Sequence, residues 1–353
     1  MSGQPGPALP SYTVSVLAFH SLASIEICVR SVLDQDYGGS VDLWVREQGG
    51  DDEEWEVLRR IAADASATGR PMFLERGHNL GFAAGHNRAI RASQADLFFP
   101  LNADAVLAPG FLTAAAVPFR EGGIAAVQGK LLRWDGDRPA RGPSGRPVID
   151  TTGLIALRSR RFVNRGEGEE DSGQYDRADA PFAPDGAAAV FLRQALDDVA
   201  IPRSVFGEGE GEEYFDEAFF AYKEDVDLGW RLRLRGWEPA FCPTAVAWHG
   251  RGAPDLASIG LRLLRHRLRP SVARRLGFAN QRLMQVKNDG RQDLRHDAWP
   301  WLGREVLAWV AALLTPRRFV GSVATLVRGL KVARRKRAWI QSRRTVARAH
   351  WFS

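Results

Sequence analysis

Short apolar runs alternate with amphipathic ones along the first hundred residues. Thr13–Phe19 (TVSVLAF) is apolar and rich in β-branched residues and ends in a polar turn, which predicts a buried strand. Ser24–Leu33 then places Ile25, Val29 and Val32 at helical spacing. The alternation continues with a strand at Val41–Val45 and a helix at Asp52–Ala65, with Trp55, Leu58 and Ile61 on one side. A short strand at Met72–Glu75, a helix at Ala83–Ala92 and a buried strand at Asp96–Leu101 follow. This order predicts an α/β fold, a mostly parallel sheet flanked by helices. Ligands of such sheets sit beyond the carboxyl ends of the strands, so residues just after each strand are the first candidates for chemistry.

Residues 1–11 are rich in Gly, Pro and Ser and predict a flexible start. Arg133–Gly145 reads as a loop, and the acidic, Gly-bearing Glu167–Asp185 and Gly207–Glu213 as mobile loops able to cover the site. The sheet domain is expected over 12–252 and a basic helical region over 253–353. Net charge is +6, but 23 of the 48 Lys and Arg and only 5 of the 42 Asp and Glu lie in 251–353, a local balance of +18. The preceding 250 residues carry the other 25 basic and 37 acidic side chains, a balance of −12. Such asymmetry points to a polyanionic partner for the last hundred residues, an anionic membrane surface or nucleic acid.

Within that region 256–285 is helical in pattern and crowded with arginine, and Val306–Pro316 and Phe319–Val327 are uncharged runs. Each is shorter than the roughly 20 residues that span a bilayer. They read either as helices packed on the body or as an interfacial pair with arginines at the headgroups. The eight further cations of Lys331–Arg348 favour the membrane. A tail poor in tyrosine, with no base-stacking motif, gives nucleic acid little support, and none is expected as a partner. Two cysteines, Cys28 and Cys242, make no disulfide framework, and the N-terminus shows no charged segment leading into an apolar run. The expected location is cytoplasmic, peripheral at the inner face of the cell membrane.

Four segments carry chemistry. Leu101-Asn102-Ala103-Asp104-Ala105 puts a carboxylate directly after a buried strand, where it can give an oxygen to a hard divalent cation; a plain strand-ending turn uses the same residues. Asn79-Leu80-Gly81-Phe82-Ala83-Ala84-Gly85-His86-Asn87 combines glycines with a helix start suited to anions, although tight strand-to-helix connections look alike. Tyr214–Arg231 packs five carboxylates (Asp216, Glu217, Glu224, Asp225 and Asp227) among bulky aromatics. Clustering and desolvation raise carboxylate pKa values, which makes a base competent near neutral pH. Pro243–Gly250 reads as a strand ending in His249, which gains interest if it converges with Asp104.

In order and spacing, VSVLAFHS, NLGFAAGHN, LNADA, GAAAVFLR, FDEAFFAYKEDVDLGWRLRLRGW and PTAVAWHG resemble the family 2 glycosyltransferases of GT-A fold, especially the bacterial rhamnosyltransferase-like branch, over roughly Tyr12 to Gly252. The resemblance implies transfer of a rhamnose-like or other hexose from a nucleotide-diphosphate donor to a hydroxyl of a growing, lipid-linked cell-surface glycan, with inversion. It implies Asp225 as catalytic base beside Glu224, and Asp104 and His249 as ligands of Mn²⁺ or Mg²⁺. Phe19, Glu47, Asn79, Gly81, Phe82, Asn87, Asn102, Asp104, Gly186 and Ala187 are expected around the donor. One departure stands out. Where the family usually has Asp-Asn-x-Ser-x-Asp to hold the nucleotide base, this chain has Glu47-Gln48-Gly49-Gly50-Asp51-Asp52. A non-catalytic nucleotide-sugar-binding module and a nucleotidyltransferase are the alternatives. The intact Glu224-Asp225 speaks against the first, and the lack of a Gly-rich, lysine-bearing loop after the first strand against the second.

Overall fold

The structure is a computed structural model of the chain. It describes residues 8–250 and 271–353, apart from 51, 68, 137, 178, 315 and 348–350. The 256–270 part of the expected basic helix therefore lies outside the described residues.

Strands β1 (Tyr12–Ala18), β2 (Val41–Glu47), β3 (Met72–Arg76) and β4 (Leu97–Asn102) alternate with helices α1 (Ile25–Leu33), α2 (Asp52–Ala67) and α3 (Gly81–Ala92). The four strands pair in parallel in the order β3-β2-β1-β4, as right-handed crossovers through helices require. After β4 the regularity ends. Short β5 (Ala105–Leu107) and α4 (Phe111–Ala116) lead to the long β6 (Ile124–Asp135). The hairpin strand β7 (Arg138–Pro139) pairs back onto β6, so the stretch expected as one loop from Arg133 begins inside a strand. β8 (Ile149–Thr151) also pairs with β6, while β9 (Leu154–Ala156) and β10 (Phe162–Asn164) form a separate ribbon. β11 (Ala189–Leu192) enters the sheet antiparallel between β4 and β6, followed by α5 (Arg193–Val199). β12 (Ile201–Pro202) and β13 (Glu212–Glu213) form a second ribbon. α6 (Glu224–Leu234) and β14 (Glu238–His249) complete the body, with β14 parallel to β6 and antiparallel to β5. The sheet is thus parallel on one side and mixed on the other.

The main core lies between the parallel strands and α1, α2 and α4, where Val14, Val16, Leu43, Val45, Leu58 and Phe99 are buried. Burying each such side chain contributes about 1.5–3 kcal/mol. The expected loop Glu167–Asp185 is tied down: Lys130 pairs with Asp171 at 3.0 Å, and Gly168 N–H donates to Ile149 O at 3.0 Å. In the expected loop Gly207–Glu213, the last residue is buried.

Among the described residues four helices follow: α7 (Ser271–Asn288), α8 (Arg291–His296), α9 (Ala298–Leu313) and α10 (Pro316–Ser342). They share a second core with the body, in which Leu283, Met284, Leu326 and Ile340 meet Phe182, Phe219, Val226 and Trp230. The last residues join as well: Ser353 N–H donates to Ala156 O at 3.0 Å, and Phe352 packs 5.3 Å from the Trp230 ring.

Candidate active site

The carboxyl edge of the sheet collects two constellations. The first forms because a tight turn after β4 leads into β5, which pairs with the end of β14 and sets His249 opposite Ala105. His249 Nε2 lies 3.2 Å from Asp104 Oδ1 and 3.3 Å from Asn102 Nδ2. Its other nitrogen, Nδ1, is 2.9 Å from Oδ2 of Asp150, a fully buried carboxylate on β8. Burial alone would push the imidazole pKa down, but hydrogen bonds and charge from Asp104 and Asp150 outweigh it and lift the pKa to about 10. Asp104 and His249 therefore converge. Asp150 was missed because nothing in Val148-Ile149-Asp150-Thr151 announces a motif, although a carboxylate inside an apolar strand signals a buried partner.

This donor set can be tested against a metal. A carboxylate oxygen and an imidazole nitrogen face each other, and a buried carboxylate on the far nitrogen orients the ring, the arrangement typical of metal-ligating histidines. The mixed oxygen and nitrogen donors fit Mn²⁺ better than Mg²⁺. Among the described residues no group of three or more His, Cys, Asp or Glu could hold a metal. Two protein ligands leave most of a coordination sphere to a bound diphosphate.

The second constellation is the segment entering α6. Phe220 sits at φ 60°, ψ −60°, with Ala221 N–H donating to Phe219 O at 2.6 Å, a γ-turn. Tyr222 and Lys223 follow at φ 72° and 79°, both left-handed. Each such conformation costs of order 1–3 kcal/mol in a non-glycine residue and persists only when its surroundings impose it. The strained turn delivers Glu224 and Asp225 to the first turn of α6, where the helix dipole favours negative charge.

Ion-pair accounting separates the carboxylates of this region. Glu217 pairs with Arg203 at 3.0 Å and Arg91 at 3.2 Å. Asp227 pairs with Arg231 at 3.1 Å and Lys287 at 2.8 Å. Asp216 meets Lys287 and, at 2.7 Å, Lys336. Burial would raise the Asp216 pKa, yet the two ammonium groups hold it well below the usual range, against the expectation that clustering raises every member. Only Glu224 and Asp225 of the five have no ion-pair partner among the described residues. Burial and the Asp225 charge push Glu224 up to about 8, and Glu224 Oε2 is buried without a hydrogen bond. The Asp225 pKa is also raised, by burial and then by the Asp185 charge.

Residues 185–187 bridge the two constellations. Gly186 N–H donates to Asp225 Oδ2 at 3.2 Å, and Ala187 O accepts from Asn102 N–H at 2.9 Å. A Cβ on Gly186 would lie 3.2 Å from the Asp225 Cβ, so the close approach favours glycine.

Several residues expected around the donor make contacts within the protein. Asn87 is fully buried; its amide donates to Phe215 O and Glu217 Oε1, and its oxygen accepts from Phe215 N–H. Phe82 packs edge-on against His86 and Phe215 at 4.4 and 5.6 Å. Asn79 accepts from Gly81 N–H at 2.7 Å. Gly81, at φ +80°, lies so close to Phe220 that a Cβ would stand 2.5 Å from its carbonyl oxygen. These residues make contacts within the protein around the strained turn, Gly81 and Asn87 from buried positions and Asn79 and Phe82 from half-buried ones. Glu47 is also buried, its carboxylate taken by Gly50 N–H and, at 2.9 Å, by Arg76. Phe19, by contrast, is 45% exposed just beyond β1, its ring tilted against that of His20 with centroids 4.4 Å apart.

The carboxyl edge of the sheet thus joins an Asp–His pair to a carboxylate that has no ion-pair partner among the described residues. Residues 10–266 match the family described as "Glycosyltransferase like family 2", and the chain belongs to it. An N-acetylglucosaminyltransferase of Mesorhizobium japonicum is 26% identical over 133 residues, 37% of this chain and 31% of the relative. An N-acetylglucosaminyl-diphospho-decaprenol L-rhamnosyltransferase of Mycobacterium tuberculosis is 47% identical over 49 residues, 14% of this chain and 15% of the relative. The chain thus spans a third or less of the length of these curated relatives. In fold it is similar to a mannosyltransferase of Pyrobaculum calidifontis solved with GDP-mannose and Mn²⁺ (TM-score 0.51, 16% identity, covering 95% of this chain and 91% of that one).

Proposed function

We propose that the protein inverts configuration while moving a hexose, of the rhamnose or N-acetylglucosamine kind, from a nucleotide-diphosphate donor to a hydroxyl of a growing, lipid-linked glycan. The observation that carries this reading is the Asp225 carboxylate, oriented by Gly186 N–H while Asp216, Glu217 and Asp227 are committed to cations. A carboxylate with raised pKa and no counter-ion accepts a proton more readily than a paired one. In the proposed step Asp225 takes the acceptor hydroxyl proton as that oxygen bonds to the anomeric carbon, and the bond to the diphosphate breaks on the opposite face. Asp104 and His249 would hold a divalent cation, with Asp150 orienting the imidazole. When bound, such an ion supplies positive charge to a departing diphosphate.

The sugar and acceptor are suggested by the relatives, whose names give N-acetylglucosaminyl and rhamnosyl transfer, the latter to a decaprenol diphosphate sugar. A membrane-borne acceptor also suits α9. Trp299, Leu302, Val306, Leu307, Val310 and Leu313 form one exposed stripe along it. On its other side Glu305 pairs with Arg282 at 2.7 Å and Trp309 packs edge-on to Phe278 at 5.2 Å. No helix among the described residues is long and apolar enough to cross a membrane, so the proposed placement is in the plane of an anionic surface, on the cytoplasmic side.

The test is donor-induced thermal shift with and without Mn²⁺, using dTDP-rhamnose, UDP-N-acetylglucosamine and GDP-mannose, followed by turnover of the donor that binds. Stabilisation by one donor that needs Mn²⁺ and disappears in Asp104→Asn is expected. Asp225→Asn should keep that stabilisation and lose about 10²-fold or more in kcat. Activity within a few-fold of the parent would remove Asp225 as the base.

A further inference from the structure

The strained turn that presents Glu224 and Asp225 is held from outside the 10–266 family match. Asn280, on α7, is fully buried and lies 58 to 61 residues further along the chain than the groups it binds. Its amide nitrogen donates to three carbonyl oxygens of one segment: Phe219 at 3.0 Å, Ala221 at 2.9 Å and Tyr222 at 2.8 Å. Those residues include and flank the γ-turn and the left-handed pair, where the backbone cannot satisfy its own carbonyls by helix or strand bonding. The amide oxygen of Asn280 has no hydrogen-bond partner, so the side chain serves this place as a donor. The same helix grips both flanks of the segment: Lys287 pairs with Asp216 before it and Asp227 after it, and Asn288 donates to Asp227 Oδ1 at 2.8 Å.

We infer that Asn280 is a positioning residue for glycosyl transfer, holding the Phe219–Lys223 turn in the strained form that sets Glu224 and Asp225 at the sheet edge. Released from that amide, the turn relaxes toward ordinary backbone conformations, and the carboxylate leaves the reach of Gly186 N–H. The inference rests on Asp225 as the base for its kinetic consequence, but not for the ordering of the turn.

The experiment compares Asn280→Leu with Gln281→Leu. Leucine keeps the branching and heavy-atom number of asparagine but donates nothing; the bulk it adds to a buried site is read by the Gln281→Leu control. Gln281 is the control: equally buried on α7, it donates to Arg160 O at 2.9 Å, away from the turn. Hydrogen–deuterium exchange over peptides covering 216–228 reads order in the intact protein. Turnover of dTDP-rhamnose or UDP-N-acetylglucosamine with Mn²⁺ reads kcat and KM. In Asn280→Leu, protection across the turn should fall about tenfold or more, and kcat about tenfold with donor KM within twofold. Gln281→Leu should move neither, even if its Tm drops by a similar amount. Unchanged exchange and kcat in Asn280→Leu, or equal losses in both variants, would overturn the inference. If the intact protein turns over neither donor, the base assignment fails, and exchange alone decides whether Asn280 orders the turn.

Discussion

The body and the C-terminal helices are built in opposite senses. In the body, apolar strands face inward and several ion pairs lie at the surface, as between Arg30 and Glu26 or Arg59 and Glu56. In the C-terminal helices many charges face inward. Lys287 and Lys336 are 0% and 1% exposed, buried against the body's Asp216, Asp227 and Glu213. The exchange also runs the other way, because the body's buried Arg160 pairs with Asp289 and Asp297 at 2.9 and 2.7 Å and lies 3.8 Å beneath the Phe352 ring. Meanwhile Trp299, at 83% exposure, Leu307 and Leu314 point outward. A charge surplus counted along a sequence is therefore no measure of surface charge. Part of the +18 neutralises the acidic body from within, and what remains outside shares its surface with an apolar stripe.

The comparison breaks most easily at the buried ammonium groups. Lys287→Met should lower unfolding free energy by about 3–5 kcal/mol, because it leaves Asp216 and Asp227 buried with fewer counter-charges. Urea unfolding followed by circular dichroism would measure this. A loss below about 1 kcal/mol would mean that the inner faces of α7 and α10 do not serve the body's carboxylates.

A smaller effect sharpens the outer face. Full-length Trp299→Asp/Leu307→Asp should co-sediment with vesicles of anionic phospholipid about tenfold less than the parent, with unchanged Tm. Equal sedimentation would put the membrane contact elsewhere.

The smallest expected effect is a pH slope. Burial, then the Asp216 charge, pushes the Glu213 pKa up to about 7, against the opposing pull of Lys336. With the folded pKa above the unfolded one, the native state holds a proton that the unfolded chain releases between about pH 4.5 and 7. The stabilisation is complete below that window and is lost as pH rises through it. Glu213→Gln should flatten this part of the stability curve. An unchanged slope would assign it to other groups.

Much of the body was legible in the sequence. Continuous apolar runs and period-3.6 patterns place β1 to β4 and α1 to α3 within a few residues, because a strand covered on both faces is apolar throughout and a helix that buries one face repeats apolar residues at its own period. Asp104 and His249 were legible singly, one after a buried strand and one at a strand end. The contacts of Asn87 and Phe82 within the protein were not, since a polar residue near glycines looks the same whether it meets a ligand or a buried backbone. Nor was Asp150, whose partner lies 99 residues away.

By itself, the sequence determined the alternating sheet, the family and the few carboxylates from which a base can be drawn, since local periodicity and motif spacing travel with the chain. Only the tertiary structure decided which carboxylates stay free. Lys287, Lys336, Arg203 and Arg231 claim Asp216, Asp227 and Glu217 and leave Glu224 and Asp225 without an ion-pair partner among the described residues. It also decided that a helix beyond the family match holds the turn that carries that pair. Charge pairing and backbone strain depend on distances between segments remote in sequence, and those distances exist only once the chain has folded.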